Sequence, residues 1–287
     1  MPGYADVSIV LPAKNEADGL AILLPKLLEI TDGAEIIVVD DGSADRTVEV
    51  CRDNNIKVIS HPYSLGNGAS IKTGARNATR KIIVFMDSDG QHRPEDLPGL
   101  IKKLEEGYKM VVGARTMTSQ ASLQRGVANY FYNKLASFMT GYEIKDLTSG
   151  FRAVEAQYFK RFLYLLPNGF SYPTTITMAF FRSGLPVTYM PIINNPREGK
   201  SHLNIISDGI RFLVIILKIG ALFSPMRLFL PVSVTVFITG LSYYLYTYFT
   251  IGRFTNMSAL LLLSSLIIFL MGILSELVSS LHYKDHE

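Results

Sequence analysis

Two aspartates separated by one serine, Asp87-Ser88-Asp89, close the apolar run KIIVFM (81–86). Carboxylates this near repel each other, and a hard divalent cation such as Mg2+ or Mn2+ relieves the repulsion by bridging them to phosphate oxygens. The chemistry this suits is departure of a diphosphate, whose developing charge the cation stabilises. An aspartate after a strand also serves simply as a cap for the next turn or helix, so the pair taken alone leaves both readings open.

Other polar clusters also follow apolar runs: PAKNE (12–16), DDGSADRT (40–47), DSDGQH (87–92) and GAR (113–115). The runs are short and β-branched (VSIVL, EIIVVD, KVIS, KIIVFMD, MVVGAR), which predicts strands. Helical patterns alternate with them around 17–29, 47–54, 70–79 and 95–106. Such alternation predicts an α/β fold with a mostly parallel sheet and helices on both faces. In these sheets ligands bind beyond the carboxyl ends of the strands, where the polar clusters fall. Ser43 and Asp45 within 40–47 also suit a turn followed by a helix cap.

With PAKNE, VVDDGSADRT and DSDGQHRPED in series, residues 5–205 resemble glycosyltransferase family 2, and within it the polyprenyl-phosphate sugar transferases, the group that includes dolichol-phosphate mannosyltransferase. The resemblance implies a GT-A, Rossmann-like domain that moves a hexose, with inversion, from a nucleotide diphosphate to a polyprenyl phosphate, dolichyl or undecaprenyl. It implies that Pro12, Ala13 and Glu16 contact the nucleotide, that Asp40 or Asp41 holds its base or ribose, and that Asp87 sits against it. Asp89 and Gln91 would coordinate the Mg2+ or Mn2+, and Asp87, Asp89 and Gln91 form the catalytic set. Arg115, Arg125, Asn129, Arg197 and Ser201 would bind the acceptor phosphate, beside the segments DLTSGFR (146–152) and REGKSH (197–202). Donor and acceptor are both anionic, and Arg and Lys can hold them together. Arg125 and Asn129, four apart on a predicted helix, share a face.

The chain departs from the family pattern in three places. Asn129 stands where Ser is usual, His202 where Lys is usual, and Asn67 where a Lys lies between the glycines of LGNGASIKTG (65–74). Gly66 and Gly68 lack the third glycine of a dinucleotide-binding loop, and Lys72 becomes a candidate for the diphosphate instead.

The charge lies mostly in the first 200 residues. Leu228–Ile251 is 24 residues without a charge and Phe254–Ser275 another 22, each enough to cross a bilayer as a helix of ~20 residues. Before them Asp208, Arg211 and Lys218 fall on one stripe of an otherwise apolar helical segment, which predicts an amphipathic helix at the membrane interface. The expected organisation is a catalytic domain over 1–204, an interfacial helix over 205–226 and a two-helix anchor over 227–287. Arg211, Lys218, Arg227 and Lys284 flank the outer ends of the pair and Arg253 the connection, which places the catalytic domain and both termini in the cytoplasm. No signal peptide is expected at MPGYAD.

Hydrophobic residues make up 48% of the 287 and charged residues 18%, a balance that suits a soluble domain followed by a membrane segment. One cysteine, Cys51, excludes an internal disulfide and reads as core filler. A net charge of +3 without a run of basic residues excludes nucleic acid as partner. The expected partners are therefore a nucleotide sugar, a polyprenyl phosphate and the membrane, with a homo-oligomer compatible. The rival readings are a membrane scaffold that binds a nucleotide sugar without turnover and a processive polysaccharide synthase. The second would need a QxxRW motif, and the chain has no Trp.

Overall fold

In a computed structural model of the chain, the described residues are 3–115, 123–169, 171–193, 214, 217–218, 220–221 and 224–284, without the side chains of 123–129 and 280–284. Arg197, Ser201 and most of the expected interfacial helix lie outside the described residues, as do the side chains of Arg125 and Asn129.

The alternating runs of the first half become β1 (Val7–Ala13), α1 (Ala17–Ile30), β2 (Glu35–Asp40), α2 (Thr47–Asp53), β3 (Lys57–Ser60), α3 (Asn67–Asn77), β4 (Ile82–Phe85), α4 (Leu97–Glu105) and β5 (Met110–Arg115). They are followed by α5 (Leu123–Thr140), β6 (Arg152–Glu155), α6 (Ala156–Arg161), α7 (Tyr172–Arg182) and β7 (Val187–Ile192). The seven strands form one sheet in the order β3-β2-β1-β4-β6-β5-β7. All pairings are parallel except those of β6, which runs antiparallel to both β4 and β5.

The single reversed strand decides what meets what. Because β6 starts where β4 and β5 end, the loop that enters β6 lies at the same sheet edge as the loops that leave β1, β2, β4 and β5. The segment DLTSGFR, far along the chain from Asp87, is thereby delivered to it.

Both faces of the sheet are covered. On one, Leu20, Leu23, Leu24 and Leu27 of α1, Cys51 of α2 and Leu97, Leu100, Ile101 and Leu104 of α4 pack on Ile9, Leu11, Val38, Val84 and Val111. Each such side chain contributes about 1.5–3 kcal/mol by leaving water. Burial pushes the Cys51 thiol up to about 11, so it stays an inert part of this core. On the other face Phe85 packs on Phe159 with ring centroids 4.6 Å apart. There α3 approaches β1 through Gly74, where a Cβ would collide with the Val10 side chain.

The chain divides into two compact units, 1–134 with 143–212, and 135–142 with 213–287. The second holds two long apolar helices, α8 (Pro225–Ile251) and α9 (Asn256–Lys284). Both differ from the charge-free stretches because helices end at caps and not at charges. Thr255 Oγ1 accepts from the Ser258 amide at 3.3 Å and caps the start of α9, so Phe254 stays outside it. The two helices meet along small residues seven apart, Ser233, Gly240 and Thr247 on one and Ser258, Ser265, Gly272 and Ser279 on the other. There Ser233 Oγ donates to the Ser265 carbonyl at 2.8 Å, and a Cβ at Gly240 or Gly272 would press on Leu261 or Phe229. Only 11% and 17% of their most apolar windows are buried. Glu276 accepts from the Met226 amide at 3.4 Å at the start of α8, where a carboxylate stabilises the positive end of the helix dipole.

Candidate active site

The loops after β1 and β2 are tied together. Asn15 adopts a left-handed φ of 56°, and its side-chain oxygen accepts from the Ala44 amide at 2.8 Å while its own amide donates to Ser43 Oγ at 2.9 Å. The Glu16 amide donates to Thr47 Oγ1 at 3.0 Å, and Asp45 Oδ2 accepts the Ala17 amide at 3.1 Å, so Asp45 caps α1 from the neighbouring loop. Ser43 and Asp45 thus do the turn and cap work their types suggested.

Asp40 and Asp41 are both buried. Asp40 Oδ1 accepts the Ser43 amide at 2.9 Å and closes the turn. Asp41 accepts four hydrogen bonds: from His61 Nδ1 (2.8 Å) and the Leu65 amide (2.8 Å) on Oδ1, and from Ser64 Oγ (2.7 Å) and the Gly66 amide (2.9 Å) on Oδ2. Burial would raise its carboxyl, yet these donors overcome it and hold the pKa below the usual carboxylate range. His61 is itself fixed, with Nε2 2.9 Å from Thr73 Oγ1. Asp41 organises the loop 61–66, and any ligand at that carboxylate would compete with four internal donors.

Beyond β4 the serine between the two aspartates points down, donating to the Pro12 carbonyl at 2.8 Å. Ala13 is likewise engaged, its carbonyl accepting the Asp41 amide at 2.8 Å. Gly19 on α1 lies under this loop, and a Cβ there would meet the Ser88 carbonyl at 2.6 Å. Asp89 accepts from Gln91 twice, from its amide at 3.1 Å and from Nε2 at 2.7 Å. Gly90, at a φ of 73°, turns the chain back so that His92 reaches Asp87, Nε2 to Oδ2 at 3.0 Å. Burial works to raise the Asp87 carboxyl, but His92, with Arg115 and Arg152 nearby, keeps it below the usual range. Its side chain remains 38% exposed.

From the far side comes the loop that enters β6. Arg115, at the end of β5, donates from Nε to Asp146 Oδ2 at 2.8 Å and from Nη2 to Asp146 Oδ1 at 2.9 Å, a bidentate pair, and also to Thr148 Oγ1 at 2.5 Å. Asp146 further accepts the amides of Thr148 and Ser149, each at 3.1 Å. Burial lowers the Arg115 guanidinium, and the Asp146 carboxylate more than offsets it, so the pKa is raised. Gly150 then passes so close to Asp87 that a Cβ would lie 3.0 Å from Oδ2 and 3.1 Å from Oδ1. Arg152 is wholly buried, donating to the carbonyls of Ser149 and Pro173 and to Thr177 Oγ1.

Residues 8–163 match glycosyl transferase family 2, more than half of the chain, and residues 224–281 match the GtrB C-terminal hairpin. The chain belongs to glycosyl transferase family 2. Among its relatives, the glycosyltransferase AglJ of Haloferax volcanii is 27% identical across 99% of this chain and 97% of its own length. The dolichyl-phosphate hexose transferase of the same organism is 27% identical over 72% of this chain and 90% of its own. An undecaprenyl-phosphate 4-deoxy-4-formamido-L-arabinose transferase of Photorhabdus laumondii is 34% identical over 51% of this chain, which spans 48% of that relative's length. Glucosyl-3-phosphoglycerate synthase from Mycobacterium tuberculosis, solved with Mn2+, UDP and glucosyl-3-phosphoglycerate, shares the fold at a TM-score of 0.60 and 19% identity, over 75% of this chain and 79% of that one.

Within this family 2 domain the sheet edge gathers Pro12, Ala13, Glu16, Asp40, Asp41, Asp87, Asp89, Gln91 and Arg115. Lys72 stands apart from that network: it donates to the Leu166 carbonyl at 3.1 Å and to Asn168 Oδ1 at 2.5 Å, and so pins the turn at 166–168. Burial, with Arg76 nearby, lowers its pKa.

Asp89 and Gln91, with Asp87 beside them, offer oxygen atoms, which fit a hard cation. Among the described residues no group of three or more His, Cys, Asp or Glu could hold a metal. Asp89 and Gln91 would supply part of a coordination shell, which Mg2+ usually completes with water and substrate phosphates. Four contributors were not singled out from sequence: His61, Ser88, His92 and Gly150. His92 lies within DSDGQH (87–92), and its place five residues after Asp87 across a glycine is the signal the sequence carries.

Proposed function

We propose that this chain transfers a hexose, with inversion, from a nucleotide diphosphate sugar to a polyprenyl phosphate, dolichyl or undecaprenyl, at the cytoplasmic face of a membrane. One pairing carries the reading: a family 2 domain with an acidic sheet edge, and after it a hairpin of apolar helices largely bare of protein contacts. Relatives named for transfer to undecaprenyl or dolichyl phosphate support the acceptor.

The acidic edge is the donor side. Pro12, Ala13, Glu16 and Asp40 would line the nucleotide, with Asp41 shaping the loop 61–66 around it and Asp87 against it. Asp89 and Gln91 would hold Mg2+ or Mn2+, which when bound supplies positive charge to the leaving diphosphate. Lys72 would act through the 166–168 turn it pins. On the acceptor side Arg115, preset by Asp146, would meet the lipid phosphate together with Arg125, Asn129, Arg197 and Ser201.

A phosphate monoester loses its second proton near pH ~6, so the lipid phosphate is already nucleophilic at neutral pH and needs no strong base. One of its oxygens forms the bond to the anomeric carbon as the bond from that carbon to the diphosphate oxygen breaks. The chain contributes alignment and charge.

The domain layout under this reading is 1–204 catalytic, 205–226 interfacial and 227–287 membrane-anchored. Basic residues at the outer ends of the helix pair support cytoplasmic termini. Tyr246, Tyr248, Phe249 and Phe254 are exposed around the α8–α9 connection, as an aromatic belt at the opposite interface would be. Holding the enzyme at the surface that confines its acceptor raises the effective concentration.

The test is transfer of label from a panel of UDP- and GDP-sugars into butanol-extractable lipid, with polyprenyl phosphate and Mn2+ or Mg2+. One donor should label the lipid, giving a product of inverted anomeric configuration. Nucleotide binding without label from any donor would favour a non-catalytic scaffold.

A further inference from the structure

Asp87 is held in an unusual way for a carboxylate expected to meet an anionic ligand. Among the described residues its one hydrogen-bond partner is His92, at 3.0 Å from Oδ2. His92 is 5% exposed, and its ring stacks on Phe151, centroids 4.9 Å apart and planes 19° from parallel. Phe151 is fully buried and follows Gly150, whose backbone closes the other side of Asp87. The histidine therefore touches the donor-side carboxylate with one nitrogen and the acceptor-side loop with its face.

The second ring nitrogen bears on which atom donates. Nδ1 is buried and has no hydrogen-bond partner among the described residues. A buried N–H without an acceptor is costly, whereas a bare ring nitrogen leaves only a weaker acceptor unpaired. Nε2 is thus the ring nitrogen that donates its N–H, and it donates to Asp87. A ring clamped on Phe151 and carrying one directed N–H fixes which oxygen of Asp87 is engaged and which faces outward.

We propose that His92 is a positioning residue for the transfer reaction: it acts through Asp87, locking that carboxylate in the orientation that receives the nucleotide diphosphate and keying it to the Gly150-Phe151 loop of the acceptor side. The proposal rests on the reading of Asp87 as a donor-side ligand. It adds a residue with no direct contact to substrate.

Three variants of the full chain separate the contributions. His92→Phe keeps a flat ring on Phe151 and removes the N–H. His92→Gln keeps an amide N–H able to reach Asp87, and Asp87→Asn removes the charge the N–H serves. Calorimetric binding of UDP and of GDP, each with Mn2+, is measured beside transfer kinetics and melting temperature. His92→Phe is expected to weaken nucleotide binding and lower kcat/KM by about tenfold, while His92→Gln stays within about threefold of wild type. The double variant His92→Phe with Asp87→Asn should bind no more weakly than Asp87→Asn alone, because one acts through the other.

Wild-type binding and turnover in His92→Phe would overturn the proposal, as would effects of the two substitutions that multiply. A fall in melting temperature with unchanged nucleotide affinity would reduce His92 to a packing role and also overturn it. If His92→Phe fails to accumulate, His92→Asn, whose shorter amide falls short of Oδ2, takes its place with the same expectations. Wild-type behaviour in Asp87→Asn would instead refute the site reading on which the proposal stands.

Discussion

Asp41 and Asp87 follow strands on either side of β1, and each meets a histidine at a similar distance, 2.8 Å from His61 and 3.0 Å from His92. Asp41 has both oxygens doubly engaged by its own chain, with a side chain 6% exposed. Asp87 has one such partner among the described residues and stands 38% exposed. The same residue type at equivalent places on the sheet edge thus serves two ends. A carboxylate saturated by internal donors organises a loop, and one held by a single strut keeps capacity for a ligand.

Asp41→Asn should have the largest effect on stability. An amide cannot accept all four hydrogen bonds, and the loss of a buried, fully bonded charge costs about 3 kcal/mol. In a domain of this size that lowers Tm on the order of 10 °C, read by thermal unfolding. The depressed Asp41 pKa also gives the effect a pH signature. Its stabilisation is fully present above the unfolded carboxyl value of about 3.9 and fades as pH falls through the lower folded value. The wild-type advantage over Asp41→Asn should therefore shrink only below about pH 4. An equal Tm for the two proteins at pH 7 would erase the distinction between the aspartates.

Gly150→Ala tests the other aspartate. The added methyl would push on both Asp87 oxygens at 3.0 and 3.1 Å, a shift of a few tenths of an ångström that should cost about tenfold in kcat/KM, about 1.4 kcal/mol. Unchanged kinetics would mean that the placement of Asp87 does not matter to the reaction.

Much of this edge was legible in the sequence because it depends on local pattern. Strands β1 to β5 announced themselves by β-branched runs, and the loops PAKNE, DDGSADRT and DSDGQH were read from their places after those runs. What escaped depends on pairing across distance. The antiparallel β6 begins within DLTSGFR, a segment read for its phosphate chemistry, and nothing local says that it inserts between β4 and β5. Ser88 looked like a spacer, yet its partner is a carbonyl 76 positions away. His61 answers Asp41 from across the β2–β3 crossover, so its role appears only once the loops are folded together. The helix starts were not legible for a different reason: counting uncharged residues measures hydrocarbon thickness, while Pro225 and Thr255 set where the helices start.

The smallest expected effect lies far from the chemistry. Glu276→Gln removes charge from the carboxylate at the start of α8 and should cost about 0.5 kcal/mol, read as a slight drop in thermal stability of the full chain in detergent. Transfer activity should be unchanged, in contrast to any substitution along 87–92.

Titrating Mn2+ in the lipid-labelling assay for wild type and Asp89→Asn tests whether the edge at Asp87–Gln91 carries metal-dependent sugar transfer to a lipid phosphate. Label should rise with Mn2+ in the wild type and disappear with chelator, and Asp89→Asn should give no label at any Mn2+ concentration while its melting temperature stays near that of wild type. Full labelling by Asp89→Asn across the titration would contradict it.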